Sequence, residues 1–309
     1  MGKDILVGYT GFVGSNIALA RDFDGLFNSK NIERAFGLNP DLLIYSGVPS
    51  AMYLANNFPE KDKEVIENAK INIKKINPKV TVLISTIAVY DNPVGADENT
   101  VIDSEKISAY GKNRLNFENF VENRGKNYLI LRLPALYGKN IKKNFIYDYI
   151  NLIPPLLTYE KFDELTAKDD FIKDFYFREN NGYYKCCEIN DNNRNVLKQY
   201  FKNIGFSALN FTDSRSVYQF YNLSNLGEHI EKALSLGIKK LNLATEPVSV
   251  KELYKYLCGE DFENELDKPP FNYDYRTIYA DKFGGRNGYI FDKQTVMKDI
   301  KEFVIGQDI

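Results

Sequence analysis

Histidine is almost missing from this chain of 309 residues, in which His229 is the single example. That excludes a structural zinc site built from Cys and His. His229 falls in the helix-like run NLGEHIEKAL and reads as a helix-surface residue rather than a catalytic one. Cysteine is scarce too. Cys186, Cys187 and Cys258 are the only three, and two of them are adjacent, so a disulfide framework is excluded and a reducing cytoplasm is the simplest setting. An excess of one charge is also lacking. Forty basic against 42 acidic residues leave a net charge of −2, with no run of like charge, which argues against a nucleic-acid partner. No apolar stretch is long enough to span a bilayer, and the charged start MGKD is not a signal peptide, so no membrane association is expected. Internal repeats and low-complexity segments are absent as well.

What is present is an ordinary globular composition, 44% hydrophobic, on a chain long enough for two domains. The stretch ILVGYTGFVGSNIA, Ile5 to Ala18, organises the rest. Three apolar residues run into Gly8, Gly11 and Gly14, and an apolar-patterned segment follows. This reads as a buried strand, a tight turn and the first turn of a helix. Gly8 permits the sharp turn, Gly11 lets backbone approach a pyrophosphate, and Gly14 lets helix and strand pack. The helix N-terminus then offers N–H groups to an anion. Gly8, Tyr9, Thr10, Gly11, Phe12, Val13 and Gly14 are therefore the expected pyrophosphate cradle.

Helix one is expected to run to about Phe23, and a strand from Gly25 to Asn28 ends in Asn28-Ser29-Lys30. A dinucleotide fold reads the adenosine ribose at this place. An acid there accepts from the 2′-hydroxyl of NAD, whereas a cation favours the 2′-phosphate of NADP. No acid stands there and Lys30 does, so NADP(H) is favoured over NAD(H). LLIYSGV is a second buried strand, ending in Ser46, Gly47 and Val48. A helix is expected over Glu60 to Ile76, with Val65, Ala69, Ile73 and Ile76 on one face. Val80 to Ser85, Ser108 to Val121 and Tyr128 to Leu133 read as strand, helix and strand. The alternation predicts a parallel sheet covered on both faces. From about Gly138 the rhythm breaks. Phe145 to Ile153 looks helical, Tyr159 to Ile204 carries two or three helices that the pattern does not place, and Val250 to Cys258 is a helix with Ser249 as its N-cap.

Two features carry chemistry. The strand from Val80 runs into Ser85-Thr86-Ile87-Ala88-Val89-Tyr90, which places a hydroxyl at the carboxyl end of a parallel strand, facing the ligand crevice. Tyr110-Gly111-Lys112-Asn113-Arg114 follows. Residues four apart share a helix face, so Arg114 lies beside Tyr110 and Lys112 points elsewhere. A fixed cation stabilises a phenolate, and the expectation is a Tyr110 pKa lowered toward a useful range.

In this order the motifs resemble the extended short-chain dehydrogenase/reductases that act on nucleotide-activated sugars. GYTGFVGSN is similar to that family's glycine motif, LISTIAVYD to its Ser/Thr strand, YGKNRLNFE to its Tyr-x-x-x-Lys helix, RLPALYG to the strand end beside the nicotinamide, and NLATEPVSVKEL to the opening of its substrate lobe. The resemblance implies a Rossmann-like doubly wound α/β sheet with a smaller, mostly helical C-terminal lobe. It implies a cofactor domain over 1–137 plus about 212–245 and a substrate lobe over about 138–211 plus 246–309. Thr86, Tyr110 and Arg114 take the catalytic places. Pro134 joins the cofactor site, and Asn144, Phe145 and Arg215 are candidates for the substrate. A cytoplasmic homodimer pairing 60–76 with 108–121, a nucleotide-sugar substrate and a place in polysaccharide biosynthesis are implied in the same way.

Arg114 departs from the family lysine. Arginine keeps the charge and can donate to ribose hydroxyls, but it never gives up its proton. The dehydratase branch carries an Asp-Glu pair where this chain has Ile87 and Ala88. Fucose-type epimerase–reductases use a Cys and a His that are missing here. Many epimerases place Asn where Ala135 stands. GKNIKKNF and the short stretch between Asn28 and Asp41 look more like the dehydrorhamnose-type reductases. The expected activity is therefore reduction of a nucleotide 4-ketosugar. The alternatives are a 4-epimerase and, from another class, a dinucleotide-binding sensor or assembly protein without turnover.

Overall fold

The computed structural model describes residues 3–167 and 169–307; Met1 and Gly2 of the charged start lie outside that range. In chain order the elements are β1 (Asp4–Val7), α1 (Phe12–Ala20), β2 (Gly25–Phe27), β3 (Leu42–Tyr45), α2 (Met52–Asn57), α3 (Pro59–Ile76), β4 (Val80–Thr86), α4 (Ala109–Asn123), β5 (Tyr128–Leu133) and β6 (Ala135–Tyr137). Then come α5 (Phe145–Asn151), β7 (Leu156–Thr158), α6 (Tyr159–Thr166), β8 (Tyr176–Arg178), β9 (Tyr183–Cys186) and α7 (Asp191–Asn203). The last are β10 (Val217–Tyr218), β11 (Phe220–Asn222), α8 (Leu226–Ser235), β12 (Lys240–Asn242), β13 (Val248–Ser249), α9 (Val250–Cys258) and α10 (Lys293–Ile305).

The chain divides into two compact units. One comprises Val217–Val248, Phe271–Phe303 and the described residues of Met1–Ile141; the other comprises Lys142–Ser216, Ser249–Pro270 and the described residues of Val304–Ile309. The segment 271–303 thus packs with the glycine-turn unit.

The first unit is built on a six-stranded sheet in the order β12-β5-β4-β3-β1-β2, every pair parallel. Its strands are continuous apolar runs because both faces are covered. Leu6, Ile44, Val82 and Leu131 pack on one face with Ile17 of α1 and Ile230 of α8. Ile5, Leu43, Leu83 and Ile130 pack on the other with Ile73 of α3 and Phe117 of α4. This is the doubly wound α/β fold expected from the alternation. The order reverses between β1 and β3, and in such sheets the ligand crevice opens there, beyond the carboxyl ends of the strands.

Helix α3 starts at Pro59, carries Glu60 and Asp62 in its first turn and Lys74 and Lys75 in its last, and stops at left-handed Asn77. That charge order matches the helix dipole. Its buried stripe is Ile66, Ala69, Ile73 and Ile76. Val65, expected on that stripe, is exposed. Ile66 lies seven residues before Ile73, two full turns away, whereas Val65 is rotated by a further 100°.

His229 is a second correction. It is buried on α8, where Nδ1 shares a hydrogen bond of 2.8 Å with the Tyr221 hydroxyl and the ring lies against Phe291 and Phe283. Burial lowers its pKa from 6.5 to about 4. The imidazole is therefore neutral in the folded protein. The unfolded chain takes up a proton as pH falls below 6.5, so the stability contributed by the neutral form is lost between pH 6.5 and about 4. Asp148, raised by burial to about 7, works in the opposite sense, so the comparison must be between variants. In urea titrations, wild type is expected to lose about 2–3 kcal/mol relative to His229→Gln between pH 7 and pH 4.5. Parallel pH curves would show that burial does not control this histidine.

The second unit has its own core of Ile153, Leu157, Phe162, Leu165, Ile172, Tyr176, Leu197 and Phe201. Strands β8 and β9 lie with α6 and α7 in the stretch that the sequence pattern left unplaced, and β7 just before it completes an antiparallel sheet in the order β7-β9-β8.

Candidate active site

Gly8 follows β1 with φ +93°, a conformation that a side chain rarely adopts. A Cβ there would stand 2.6 Å from the Ser46 carbonyl at the end of β3. A Cβ on Gly14 would stand 2.1 Å from the Gly8 carbonyl oxygen. Tyr9, Thr10 and the first turn of α1 at Phe12 and Val13 are therefore drawn against the sheet edge at the switch point. Gly11 differs. Its φ is −80°, and around the position of an added Cβ only the Gly8 oxygen comes near, at 3.3 Å. No side chain caps α1. The first turn of a helix has N–H groups without intrahelical partners, and here they border open space beside Gly11. That cradle fits a pyrophosphate.

Ser46 donates from its hydroxyl to the Val7 carbonyl (3.1 Å), which ties the ends of β1 and β3; Gly47 and Val48 continue that edge. After β2, Asn28 accepts from the Lys30 N–H (2.9 Å) and donates its own N–H to Asn31 (2.7 Å). This turn presents Ser29 and Lys30 as exposed residues. Pro134 separates β5 from β6.

Helix α4 brings the chemistry in. Ser108 caps it, accepting from Gly111 N–H (3.2 Å), and Asn56 of α2 accepts from Tyr110 N–H (3.0 Å). Gly111 is a contact point: a Cβ there would be 2.3 Å from the Ala88 carbonyl oxygen. The helix therefore sits directly on the turn after β4, which brings Tyr110 to Thr86. Thr86 and Arg114 both stand near enough to the Tyr110 hydroxyl to favour its ionised form. The Arg114 guanidinium lies over the Tyr110 ring, 4.3 Å from its centroid. The sequence-predicted trio is thus one cluster, with Tyr110 4% exposed.

The expected lowering of the Tyr110 pKa is not found. Burial pushes the hydroxyl above the ordinary phenol range, and the influence of Arg114 and Thr86 only partly offsets it. The partners of Arg114 add to the effect of burial. NH1 and NH2 form a two-pronged pair with Asp62 of α3, both contacts at 2.9 Å, and NH2 also donates to the Pro49 carbonyl (2.9 Å). Asn113 donates to the same carboxylate (2.8 Å). The negative charge of Asp62 opposes that of Arg114 at the tyrosine.

Two features escaped the sequence reading. Asp62 looked like an ordinary first-turn acid on a charged helix. Glu118, fully buried one turn beyond Arg114, pairs with Arg132 of β5 (2.6 Å) and accepts from Ser85 (2.5 Å), while Arg132 also donates to Tyr90 (2.7 Å). A single arginine within the apolar run YLILRL, and a glutamate spaced four after Arg114, were the signals for that network.

The substrate candidates from the second unit are otherwise engaged. Asn144 caps α5, accepting from Ile146 and Tyr147 N–H (3.0 and 3.3 Å). Phe145 is buried and packs against the rings of Tyr149 and Phe262. Arg215 donates to Asp213, to Glu265 and to the Leu266 carbonyl. Cys186, Cys187 and Cys258 are free thiols. Among the described residues no cluster of His, Cys, Asp and Glu is suited to a metal ion, and no helix is long and apolar enough to cross a membrane.

No known sequence family matches the chain, and no curated protein is similar to it in sequence. Solved structures are similar to it in fold. A dTDP-4-dehydrorhamnose reductase from Bacillus anthracis, solved with NADP, is 16% identical with a TM-score of 0.64, and the match covers 99% of both chains. A UDP-N-acetylglucosamine 4-epimerase from Methanobrevibacter ruminantium, solved with UDP-N-acetylmuramic acid, is 14% identical with a TM-score of 0.60, again over 99% of both. MoeE5, solved with UDP-glucose and NAD, is 14% identical with a TM-score of 0.60 over the full length of both. The chain shares its doubly wound α/β fold with these structures.

Proposed function

We propose that this chain, with the fold of the extended short-chain dehydrogenase/reductases, is an NAD(P)-dependent reductase of a nucleotide-activated 4-ketosugar. The observation that carries the reading is the close seating of α4 at Gly111 on the turn after Thr86, which sets Tyr110 beside the end of β4, in a sheet whose switch point bears the open cradle at Gly11. A bound nicotinamide dinucleotide would supply the hydride. The first turn of α1 and the Gly8–Gly14 turn would hold its pyrophosphate, with Ser46, Gly47, Val48 and Pro134 along the same edge. As a carbonyl is reduced its oxygen gains negative charge and needs a proton. Tyr110 donates that proton from its hydroxyl, and Thr86 hydrogen-bonds the same oxygen. Asn144, Phe145 and Arg215 stay the candidates for substrate contacts, and each also has partners within its own unit.

The likeness extends equally to 4-epimerases, which makes epimerisation the second reading. Turnover of nucleoside-diphosphate 4-ketosugars with NADPH separates the two, because a reductase consumes the cofactor and an epimerase returns it unchanged. The commitment of Arg114 to Asp62 favours the remaining alternative, a dinucleotide-binding protein without turnover. A homodimer through α3 and α4 follows from the same resemblance, and the three free thiols suit a reducing cytoplasm.

For the cofactor, the exposed Lys30 supports NADP(H). One charge-assisted contact to a phosphate contributes on the order of 1–2 kcal/mol, so NADPH is expected to bind about tenfold more tightly than NADH. Calorimetric titration of wild type and Lys30→Ala with both cofactors checks this. The preference should disappear in the variant, and equal affinities in the wild type would refute it.

A further inference from the structure

Arginine stands at 114 where the resembling family carries lysine, and the structure contains a reason for it. A carboxylate and a guanidinium match in a planar, two-pronged geometry that a lysine ammonium cannot reproduce. Asp62 and Arg114 make that pair with both contacts at 2.9 Å, and their side chains are 11% and 5% exposed. The Pro49 carbonyl takes a further N–H of the guanidinium, and Asn113 donates to the carboxylate. Arg114 is therefore held over the Tyr110 ring by a built, buried frame.

We propose that Asp62 is a positioning residue of the site: it fixes Arg114 over Tyr110 and opposes part of its charge there, so that the buried Tyr110 stays a phenol able to give a proton. Asp62 acts in this way on catalysis only if Tyr110 is the proton donor. A buried pair with both charges present exerts a smaller field at a neighbour that feels both than the nearer charge would alone. Two charged groups act on Tyr110, Arg114 from its own helix and Asp62 from α3. From α2 it meets the Asn56 amide, and from the end of β4 the Thr86 hydroxyl, neither of which titrates. Glu118 of α4 and Arg132 of β5 lie further along and neutralise each other. A phenol serves a reaction that begins at a carbonyl. A reaction that begins by removing the proton of a sugar hydroxyl needs a phenolate, which an unopposed cation would favour.

The test reads Tyr110 directly, whether or not the protein turns over any sugar. Tyrosine labelled with carbon-13 at Cζ is incorporated, and the Tyr110 signal is assigned by its absence from Tyr110→Phe. In the wild type it should remain that of a phenol through about pH 10, the ordinary phenol range. In Asp62→Asn the guanidinium is no longer opposed, and the titration midpoint should fall by about one pH unit or more. An unchanged midpoint in a folded Asp62→Asn protein overturns the proposal. If that variant does not fold because a buried charge is stranded, Asp62→Leu combined with Arg114→Leu removes both charges at once. The Tyr110 midpoint should then rise by less than about one unit, since the two charges removed oppose each other there. A rise of more than about one unit would mean that Arg114 had acted unopposed, and would overturn the proposal equally. Failure of Tyr110 as the donor would instead appear as undiminished turnover in Tyr110→Phe, with these titrations unaffected.

Discussion

Tyr110→Phe is expected to lose about 10²–10⁴ in turnover while cofactor affinity stays within about twofold of wild type. The hydroxyl is the only proton-bearing group in the cluster that titrates and is not already in an ion pair, since Arg114 is held by Asp62 and Thr86 has no proton to lose at ordinary pH. Removing one oxygen from a ring otherwise packed under Arg114 leaves no new charge behind, so the fold should tolerate the change. Thr86→Val should lose less, because it removes one hydrogen bond to the reacting oxygen and no proton. Steady-state rates with saturating NADPH, set against a cofactor titration of each variant, give the comparison. Equal turnover in Tyr110→Phe and wild type would remove the tyrosine from the mechanism.

The second large effect belongs to the glycine turn. Gly11→Val is expected to weaken dinucleotide binding at least about a hundredfold, a cost near 3 kcal/mol, with little change in thermal stability. The two halves of that expectation rest on different measurements. Backbone at Gly11 is in the extended region, and an added Cβ meets only the Gly8 oxygen at 3.3 Å, which a small shift relieves. The isopropyl group then fills the space beside the first turn of α1, where a pyrophosphate would approach. Gly14→Ala is the contrasting control. Its Cβ would fall 2.1 Å from the Gly8 carbonyl oxygen, so it should unfold or distort the turn before affinity can be asked about. Calorimetric melting of both variants and a cofactor titration of Gly11→Val separate the two roles. Undiminished affinity in Gly11→Val would show that the turn is only a turn.

Much of this architecture was legible because it depends on local signals. Tyr128–Leu133 and Val250–Cys258 are found with the bounds read from their apolar runs and caps, the second with Ser249 and Glu252 bonded in a reciprocal cap. Ser108 likewise caps α4 where the pattern placed the helix start. The neighbourhood of Tyr110 and Arg114 follows from a spacing of four residues, and the fold from the alternation of strand and helix.

The remainder depends on partners far away in sequence. Asp62 and Arg114 are 52 residues apart, and nothing near either one announces the pair. The sign of the Tyr110 shift was misread for that reason: the cation was visible in the sequence, but the carboxylate opposing it and the extent of burial were not. His229 was misplaced because its partners Tyr221, Phe283 and Phe291 come from three different segments. In the stretch from Tyr159 to Ile204, strands of three or four residues are too short to show a period of two, and aromatic residues serve helix and sheet alike.

The most direct measurement is the absorbance of NADPH mixed with purified wild-type protein and a set of nucleoside-diphosphate 4-ketosugars. A stoichiometric, enzyme-dependent fall in NADPH with formation of the corresponding 4-hydroxy sugar is the predicted result. Saturable binding of NADPH with no fall for any 4-ketosugar would contradict a reductase.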